Sequence, residues 1–206
     1  MLTVNNLSIV HDDAEIVANF GVSLFATCAL NIYGANGSGK SSILRHFIGL
    51  DVIKRQQIFY DQIDVSDHLQ EYRLMNEYVG HNLGLKDSLN VLDNLSFWAR
   101  LYDNELLLAP AVHTFKLDDY LERRVSELSM GTKKRVALAR LLVTNSTLWF
   151  LDEPFANLDS EFREIMLNLI RARCEQNGIV IFTSHEPMTQ SFITNLRIED
   201  FRGADA

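Results

Sequence analysis

The chain has 206 residues, of which 47% are hydrophobic and 22% charged, as expected for a globular protein with one substantial core or one core with a small appended lobe. Its formal net charge of −8 argues against general nucleic-acid binding, so we expect no nucleic-acid partner. Cys28 and Cys174 lack the spacing of a metal site or a disulfide framework, which favours two buried thiols in a reducing compartment.

The N-terminal sequence has no basic segment followed by an apolar one, so it does not predict a secretory signal. No apolar run approaches the roughly 18 residues that a membrane-spanning helix needs. We therefore expect a cytosolic polypeptide, whose membrane role, if it has one, comes through a partner.

Alternating apolar residues predict half-buried antiparallel strands near the N terminus, around residues 2–9 and 22–24. Residues 29–33 predict a short apolar strand that leads directly into glycines. Helical periodicity follows over 42–50, and residues 57–65 predict a pair of short strands.

From about residue 90 the pattern is helical almost throughout, and we place a helical subdomain at approximately 83–142. Ser88 and Asn104 are the candidate N-caps of two of its helices, and Pro110 is expected to distort the second of them.

Two fully apolar segments, 148–151 and 179–183, predict buried strands of a parallel sheet, with a crossover helix over 160–176 between them. A short strand near 196–198 is expected to end the chain.

A phosphate-binding loop is predicted where the first apolar strand meets its helix. The segment GANGSGKS at 34–41 fits the pattern G-x-x-x-x-G-K-[ST], in which glycines let the backbone N–H groups surround phosphate. Lys40 is expected to reach the β- and γ-phosphate oxygens, and the Ser41 hydroxyl is an expected metal ligand. The expected nucleotide contacts are Gly34, Ala35, Asn36, Gly37, Ser38, Gly39, Lys40, Ser41 and Ser42.

Ionisable residues follow the two later apolar strands. Asp152 and Glu153 come after strand 148–151, and His185 follows the next strand. Because the carboxyl ends of parallel strands form the ligand-binding edge of such a sheet, we expect these groups near the phosphate loop. Asp152 suits a magnesium site, Glu153 suits a base or a group that orients water, and His185 suits a contact to the γ-phosphate.

A second feature typical of anion binding lies at 126–141, SELSMGTKKRVALARL. Ser129 and Gly131 precede an amphipathic run, so a helix N-terminus is predicted at this point. The basic residues at 133–135 could contact phosphates or anionic lipid, although a solvated helix face is the more common use of such a run.

Five motifs, in this order, resemble the nucleotide-binding subunits of ABC transporters: GANGSGKSS at 34–42, LSMGT at 128–132, LWFLDEP at 148–154, ANLD at 156–159 and SH at 184–185. The resemblance implies an α/β fold with a P-loop NTPase core of the ABC type, a helical subdomain and a small antiparallel β subdomain. It also implies that residues 1–206 form a single nucleotide-binding domain that hydrolyses ATP with Mg²⁺. Lys40, Glu153 and His185 would be catalytic.

The same resemblance explains why one chain carries two anion-binding features. In that family two domains stack head to tail, so Ser129 and Gly131 would contact the nucleotide held by a second chain, and Asp159 would cross the same interface. With one copy of each motif, the chain is expected to form a homodimer. An integral membrane permease would be its partner, which places the chain peripherally on the cytoplasmic face of the inner membrane.

Within the family, the short length and two local sequences resemble the ATPase of the haem-export system for cytochrome c maturation: YVGHNLGLK at 78–86 and the segment around LSMGT. This resemblance implies haem or a haem-linked step as the cargo and other cytochrome c maturation components as possible partners. Asn82 stands where the family has glutamine, which makes it a candidate metal ligand with a shorter side chain. Met130 and Thr132 also depart from the family pattern.

Two other functions are compatible with these motifs: a soluble ABC-type ATPase without a membrane partner, and a slowly hydrolysing module that uses ATP-dependent dimerisation as a switch. The group that stacks on adenine is open, with His11 either in that role or in a solvated loop.

Overall fold

The computed structural model describes residues 1–11 and 14–202, with all side chains except those of His11 and Ala14. The chain forms two compact units. Unit 1 contains Met1–Tyr78, Thr147–Glu153 and the residues from Ile170 onward, and unit 2 contains Val79–Ser146 and Pro154–Leu169. The segment 83–142 lies wholly within unit 2.

The strands are β1 (Leu2–His11), β2 (Ala14–Leu24), β3 (Ala29–Tyr33), β4 (Ile58–Tyr60), β5 (Ile63–Asp64), β6 (Asn76–Val79), β7 (Leu148–Leu151), β8 (Ile179–Ser184) and β9 (Ile193–Arg197). The α-helices are α1 (Lys40–Phe47), α2 (Leu69–Leu74), α3 (Val91–Leu101), α4 (Leu108–Thr114), α5 (Met130–Thr144) and α6 (Ser160–Glu175). Short 3₁₀ helices cover Val65–Asp67, Glu105–Leu107, Asp118–Tyr120, Val125–Glu127 and Ile198–Phe201.

The strands build two sheets, an antiparallel one in the order β2-β1-β4-β5 and a five-stranded one in the order β6-β7-β8-β3-β9. In the second sheet β3 lies between two parallel neighbours, with Asn31 in register with Phe182 of β8 and Asn195 of β9. This arrangement confirms the predicted antiparallel N-terminal strands and the predicted parallel sheet. It also places the end of β3, where the phosphate loop begins, at the carboxyl edge of the sheet between β8 and β9.

The core of unit 1 is formed by side chains from both sheets and from α1. Leu30 and Ile32 of β3 are fully buried on the same face of the strand, as expected from the two-residue period of a strand. Phe47 of α1 packs edge-on against Phe150 of β7, with 6.3 Å between ring centroids. This packing fixes α1, whose first turn carries Lys40 and Ser41, against the central strands.

Several predicted details of the helices in unit 2 are wrong. Asn90, not Ser88, caps α3, because its Oδ1 accepts a hydrogen bond from the Asp93 N–H at 2.6 Å. Asn104 does not cap with its side chain, which instead donates to the Thr144 carbonyl at 3.3 Å. The helix predicted to follow Asn104 is divided into a 3₁₀ turn, Glu105–Leu107, and α4, and Pro110 lies in the first turn of α4, where a missing N–H breaks no helical hydrogen bond.

In unit 1 the differences are smaller. The C-terminal strand is longer than predicted and starts earlier, at Ile193, and a 3₁₀ turn follows it. Cys28 is only partly buried, whereas Cys174 is buried, and burial raises the pKa of its thiol to about 11. Over the described ranges, no helix has both the length and the apolar character required to cross a membrane.

Candidate functional site

The phosphate loop connects β3 to α1 and depends on glycines at both of its ends. At Gly34 a Cβ atom would lie 2.5 Å from Ile198 Cγ2 and 2.6 Å from the Glu199 carboxylate, so no larger side chain fits. Gly39 has φ of 95° and forms the left-handed N-cap of α1. Left-handed backbone is favourable mainly for glycine, so these two positions permit the turn that exposes loop N–H groups at the helix N-terminus.

Lys40 is the first residue of α1 and is only 5% exposed. Its ammonium donates to the carbonyl oxygens of Gly34 at 2.8 Å and Ala35 at 2.7 Å, and the Ser38 hydroxyl also donates to Ala35 O at 2.8 Å. The cation therefore lies inside the curve of the loop. The remaining predicted nucleotide contacts, Asn36, Gly37, Ser41 and Ser42, lie on the same continuous turn from loop to helix.

Two oxygen-bearing side chains meet beside the loop. The Ser41 hydroxyl donates to Asp152 Oδ2 at 2.7 Å, and the other carboxylate oxygen of the buried Asp152 accepts from the Thr183 hydroxyl at 2.7 Å. Mg²⁺ is held by a few protein oxygens while substrate phosphates and water complete its shell, and the paired Ser41 and Asp152 oxygens fit such an ion. Burial and then the charge of Asp152 raise the pKa of Tyr78 to about 12, which keeps this phenol neutral.

Glu153 and His185 form a pair next to Asp152. The His185 Nε2 atom lies 3.4 Å from Glu153 Oε1, and the two side chains are 55% and 34% exposed respectively. Glu153 has φ of 47°, an unfavourable conformation for a residue with a side chain. Its N–H donates to the Thr183 hydroxyl at 2.9 Å, so Thr183 ties the backbone of Glu153 to the carboxylate of Asp152.

Thr183 was assigned no role by sequence analysis. The sequence feature that could have indicated it is a hydroxyl at the end of the otherwise apolar segment 179–183, two residues before His185. In the structure its hydroxyl is hydrogen-bonded to both Asp152 and Glu153, so Thr183 can position these two acidic residues.

The 3₁₀ turn that follows β9 contacts the phosphate loop directly. The Glu199 carboxylate accepts a hydrogen bond from the Ala35 N–H at 2.8 Å, and its other oxygen lies 3.4 Å from Arg197 Nε. The bond from Ala35, opposed by partial burial and supported by Arg197, lowers the pKa of Glu199 below its ordinary value of 4.5. No local pattern predicts this contact, because its two partners are 164 residues apart.

We expect Glu199→Ala to weaken ATP binding about fivefold to tenfold, because the loop loses a hydrogen bond to a charged acceptor. Glu199→Gln should bind within about twofold of the wild type, since its amide oxygen still accepts from the Ala35 N–H. Titration with a fluorescent ATP analogue measures both values, with the neighbouring exposed Asp200→Asn as the matched control. Equal binding by Glu199→Ala and the wild type would contradict the anchoring role.

The same contact sets a pH dependence. Because the folded pKa is lowered, the stabilisation from Glu199 is complete above the ordinary pKa of 4.5 and is lost as pH falls through the folded value. The difference in melting temperature between wild type and Glu199→Gln should therefore shrink in that acid range.

In unit 2 the predicted helix N-terminus is confirmed. Ser129 is the N-cap of α5, and its Oγ accepts from the Thr132 N–H at 3.1 Å. Gly131 allows close approach, because a Cβ atom there would lie 3.0 Å from the Asn157 carbonyl oxygen. Asp159 accepts from the Phe162 N–H at 3.0 Å and so caps α6.

These residues share one pocket of about 150 Å³. It is lined by Ser129, Gly131, Thr132, Arg135, Asn157, Leu158, Asp159 and Phe162. Phe162 and Asn157 are additional lining residues that the sequence does not single out: Asn157 lies inside the motif at 156–159 and Phe162 three residues after it, whereas Arg135 belongs to the basic run for which a phosphate contact was an open alternative.

The basic run at 133–135 is not the solvated helix face that its composition favours. Lys134 is buried, and Lys133 pairs with Asp87 at 3.2 Å. The Arg135 guanidinium lies 4.4 Å from the Phe162 ring centroid and donates to the Phe115 carbonyl at 3.2 Å. The run therefore packs unit 2 together, because the long side chains bury their stems against aromatic and backbone groups.

Asn82 lies in an exposed loop of unit 2, where its Oδ1 accepts from the Gly84 N–H at 3.4 Å. The adjacent Leu83 carbonyl accepts from Arg140 at 3.3 Å, and this guanidinium stacks on Trp98 at 4.9 Å. The end of the loop is thus anchored while the Asn82 amide remains exposed.

The structure brings together the phosphate loop, Asp152, Glu153 and His185 in unit 1, and it brings together Ser129, Gly131 and Asp159 in unit 2. The side chain of His11, for which adenine stacking and a solvated loop were both open, lies outside the described residues.

Comparison with known proteins identifies the family to which a chain with this arrangement belongs. A family model described as "ABC transporter" matches residues 17–156. The chain belongs to the ABC transporter family. It is similar to the "Cytochrome c biogenesis ATP-binding export protein CcmA" of Wolbachia pipientis, with 40% identity and 92% of each chain covered. The protein of the same name from Rickettsia bellii is 36% identical over 96% of this chain and 98% of that protein. This ABC protein is therefore an ATP-binding protein of the CcmA type.

Solved structures confirm the fold class of this ABC protein. A putative ABC transporter ATP-binding protein from Pyrococcus furiosus has a TM-score of 0.84 and 23% identity, covering 98% of this chain and 99% of that chain. An ATP-binding cassette solved as a dimer in a post-hydrolysis state with ADP and Pi has a TM-score of 0.82 and 22% identity, with 97% of both chains covered. At these identities the likeness shows the ABC-type fold alone.

Proposed function

We propose that this protein is the ATP-hydrolysing subunit of an ABC exporter that serves cytochrome c maturation. The exporter either transports haem or drives a haem-linked step of that process. The observation that supports the enzymatic part is the connected set Ser41, Asp152, Thr183 and Glu153, in which hydroxyl and carboxylate oxygens and a carboxylate–histidine pair lie beside a phosphate loop. The role in export and cytochrome c maturation is supported by relatives whose names state it and which match most of the chain.

Each group in unit 1 has a task in this proposal. Loop N–H groups at the N-terminus of α1 bind the phosphates, and Lys40 exchanges its two carbonyl acceptors for charged phosphate oxygens. Ser41 and Asp152 hold Mg²⁺, and Asn82 is the candidate for a further oxygen ligand. When bound, Mg²⁺ neutralises charge that develops on the transferred phosphoryl group.

Glu153 is the proposed base, since its carboxylate is open to solvent and can orient a water molecule and accept its proton. His185 lies next to Glu153 and can donate a hydrogen bond to the γ-phosphate as charge develops on it. The strained backbone at Glu153, fixed by Thr183, limits the directions in which this carboxylate can point.

The second half of the site is proposed to come from another copy of the chain. The α5 N-terminus and the pocket beside it carry Ser129, Gly131 and Asp159, and each chain has one such set. A C2 homodimer would give each phosphate loop the α5 N-terminus of its partner, which produces two equivalent ATP sites.

A separate integral membrane permease is the proposed partner, with this chain bound peripherally at the cytoplasmic face of the inner membrane. Other cytochrome c maturation components could join that assembly. A soluble ATPase or a dimerisation switch without a membrane partner is less well supported, because the curated relatives that match nearly the whole chain are named as export proteins.

We expect tagged Glu153→Gln protein, pulled down with ATP from detergent-solubilised native membranes, to bring a stoichiometric polytopic subunit with it. The same pull-down with Lys40→Ala, which is expected to bind ATP poorly, is the control for ATP-dependent assembly. If the recovered subunit also co-purifies with haem-handling proteins, the cargo class is supported. Recovery of the homodimer alone from the soluble fraction would contradict the transporter role and leave the soluble ATPase.

A further inference from the structure

A fully buried polar residue lies on β3, between its two parallel neighbours β8 and β9. Asn31 is the middle residue of β3 and is 0% exposed, while its neighbours Leu30 and Ile32 point to the opposite face and into the hydrophobic core. A buried amide is costly unless its hydrogen bonds are made. Its Nδ2 donates to Asn195 Oδ1 at 2.9 Å and to the Glu186 carbonyl at 3.2 Å, and its Oδ1 lies 2.8 Å from the Ser184 hydroxyl.

Asn195 fixes the orientation of this amide. Its Oδ1 accepts from the Met188 N–H at 2.8 Å, and its Nδ2 donates to the Met188 carbonyl at 2.8 Å. Since a backbone N–H can only donate, the oxygen of Asn195 must face Met188 and Asn31, and the NH₂ group of Asn31 must face that oxygen. Both side chains therefore have one orientation that satisfies all partners.

The network encloses the segment that carries His185. Ser184 and Glu186 are the two chain neighbours of His185, and both are within hydrogen-bond distance of the single side chain of Asn31. The Ser184 hydroxyl also lies 2.6 Å from the Glu186 carbonyl oxygen, which closes the turn on itself. The imidazole projects from this turn, and its Nε2 lies 3.4 Å from Glu153 Oε1.

We propose that Asn31 and Asn195 are positioning residues, which hold the turn 184–188 so that the His185 imidazole faces Glu153. This inference rests on the proposed role of His185 in ATP hydrolysis. A mobile turn would still allow ATP to bind at the phosphate loop, but it would lower the fraction of time that the imidazole spends in its working position. Asn195 acts through Met188 and Asn31, and Asn31 acts through Ser184 and Glu186.

Asn195→Ala tests the inference in the full chain. Asn195 is exposed on the strand at the edge of the sheet, so its truncation leaves the core intact. We expect kcat for ATP hydrolysis to fall about fivefold to twentyfold, with the Kd for ATP unchanged within twofold. Thr194→Ala, at the exposed neighbouring position whose side chain points to the other face of β9, is the matched control and should keep both values.

A double-mutant cycle with His185→Ala separates positioning from general stability. If Asn195 acts through His185, then Asn195→Ala should add nothing further to His185→Ala. A purely structural contribution would lower kcat by the same factor in both backgrounds, and that result would overturn the inference. Asn31→Leu, whose melting temperature would be measured first, should follow the same pattern where it folds.

The outcomes also separate this inference from the proposed function. If His185→Ala hydrolyses ATP as fast as the wild type, the assigned role of His185 fails and the inference fails with it. If His185→Ala is impaired while Asn195→Ala equals Thr194→Ala, the role of His185 stands and only the positioning network is overturned.

Discussion

Glu153→Gln is expected to bind ATP with nearly the affinity of the wild type, to lose turnover by about a hundredfold or more, and to accumulate as a dimer. The amide keeps the size of the carboxylate and its backbone contact to Thr183, so the site retains its shape. It cannot accept the proton of the attacking water, so the nucleotide stays uncleaved between the two chains. Phosphate release measures turnover, and size-exclusion chromatography with light scattering, with and without ATP, measures the dimer.

The matched control for this variant is Glu164→Gln, which makes the same substitution at an exposed position of α6. It should hydrolyse ATP at the wild-type rate and should not accumulate as a dimer. If Glu153→Gln turned over ATP normally, the carboxylate would not be the base, and the pairing with His185 would need another explanation.

Mixing two inactive variants is expected to restore hydrolysis if α5 of one chain serves the nucleotide of the other. Lys40→Ala disables the phosphate loop, and Ser129→Ala disables the N-terminus of α5. A mixed dimer then contains one site with both defects and one site with neither. Random pairing makes about half of the dimers mixed, so roughly a quarter of the wild-type sites should be intact.

The control for complementation replaces the Ser129→Ala chain with the double variant Lys40→Ala, Ser129→Ala, because no pairing of that mixture contains an intact phosphate loop. Mixed dimers are demonstrated by pulling down one chain through a tag and detecting the other. An absence of rescue, when such dimers are present, would contradict the composite site and favour an α5 N-terminus that serves only as a helix cap.

The parts of the site that could be predicted from sequence are those formed by residues that are close together in the chain. The glycines, Lys40 and Ser41 lie within eight consecutive residues, and Asp152 and Glu153 directly follow an apolar strand. Strand ends at one edge of a parallel sheet must lie together, so pattern alone placed His185 near them. Each of these inferences needed only the order of elements and the direction of the sheet.

The contacts that were missed depend on packing between distant residues. Asn31 pairs with Asn195 only because β9 adds to β3 in a particular register, and Ala35 meets Glu199 only because of the turn that follows. The composition of the run at 133–135 suggested solvent exposure, whereas the buried Lys134 and the stacked Arg135 depend on which face of α5 meets its neighbours. The N-cap of α3 depends only on neighbouring residues, but Ser88 and Asn90 both favour that position and cannot be ranked by capping propensity alone.

The position of β3 between β8 and β9 has a consequence for synthesis of the chain. On the ribosome the phosphate-loop sequence emerges first, and both strands that flank β3, and the Glu199 that anchors its loop, are translated more than a hundred residues later. Pairings this distant in sequence form slowly, since a long segment must first be ordered. A nascent chain that ends before β8 therefore carries the complete nucleotide motif without the sheet that shapes it. The capacity to bind ATP is expected to arise only after β8, β9 and Glu199 have been translated, so that a shorter nascent chain does not capture nucleotide.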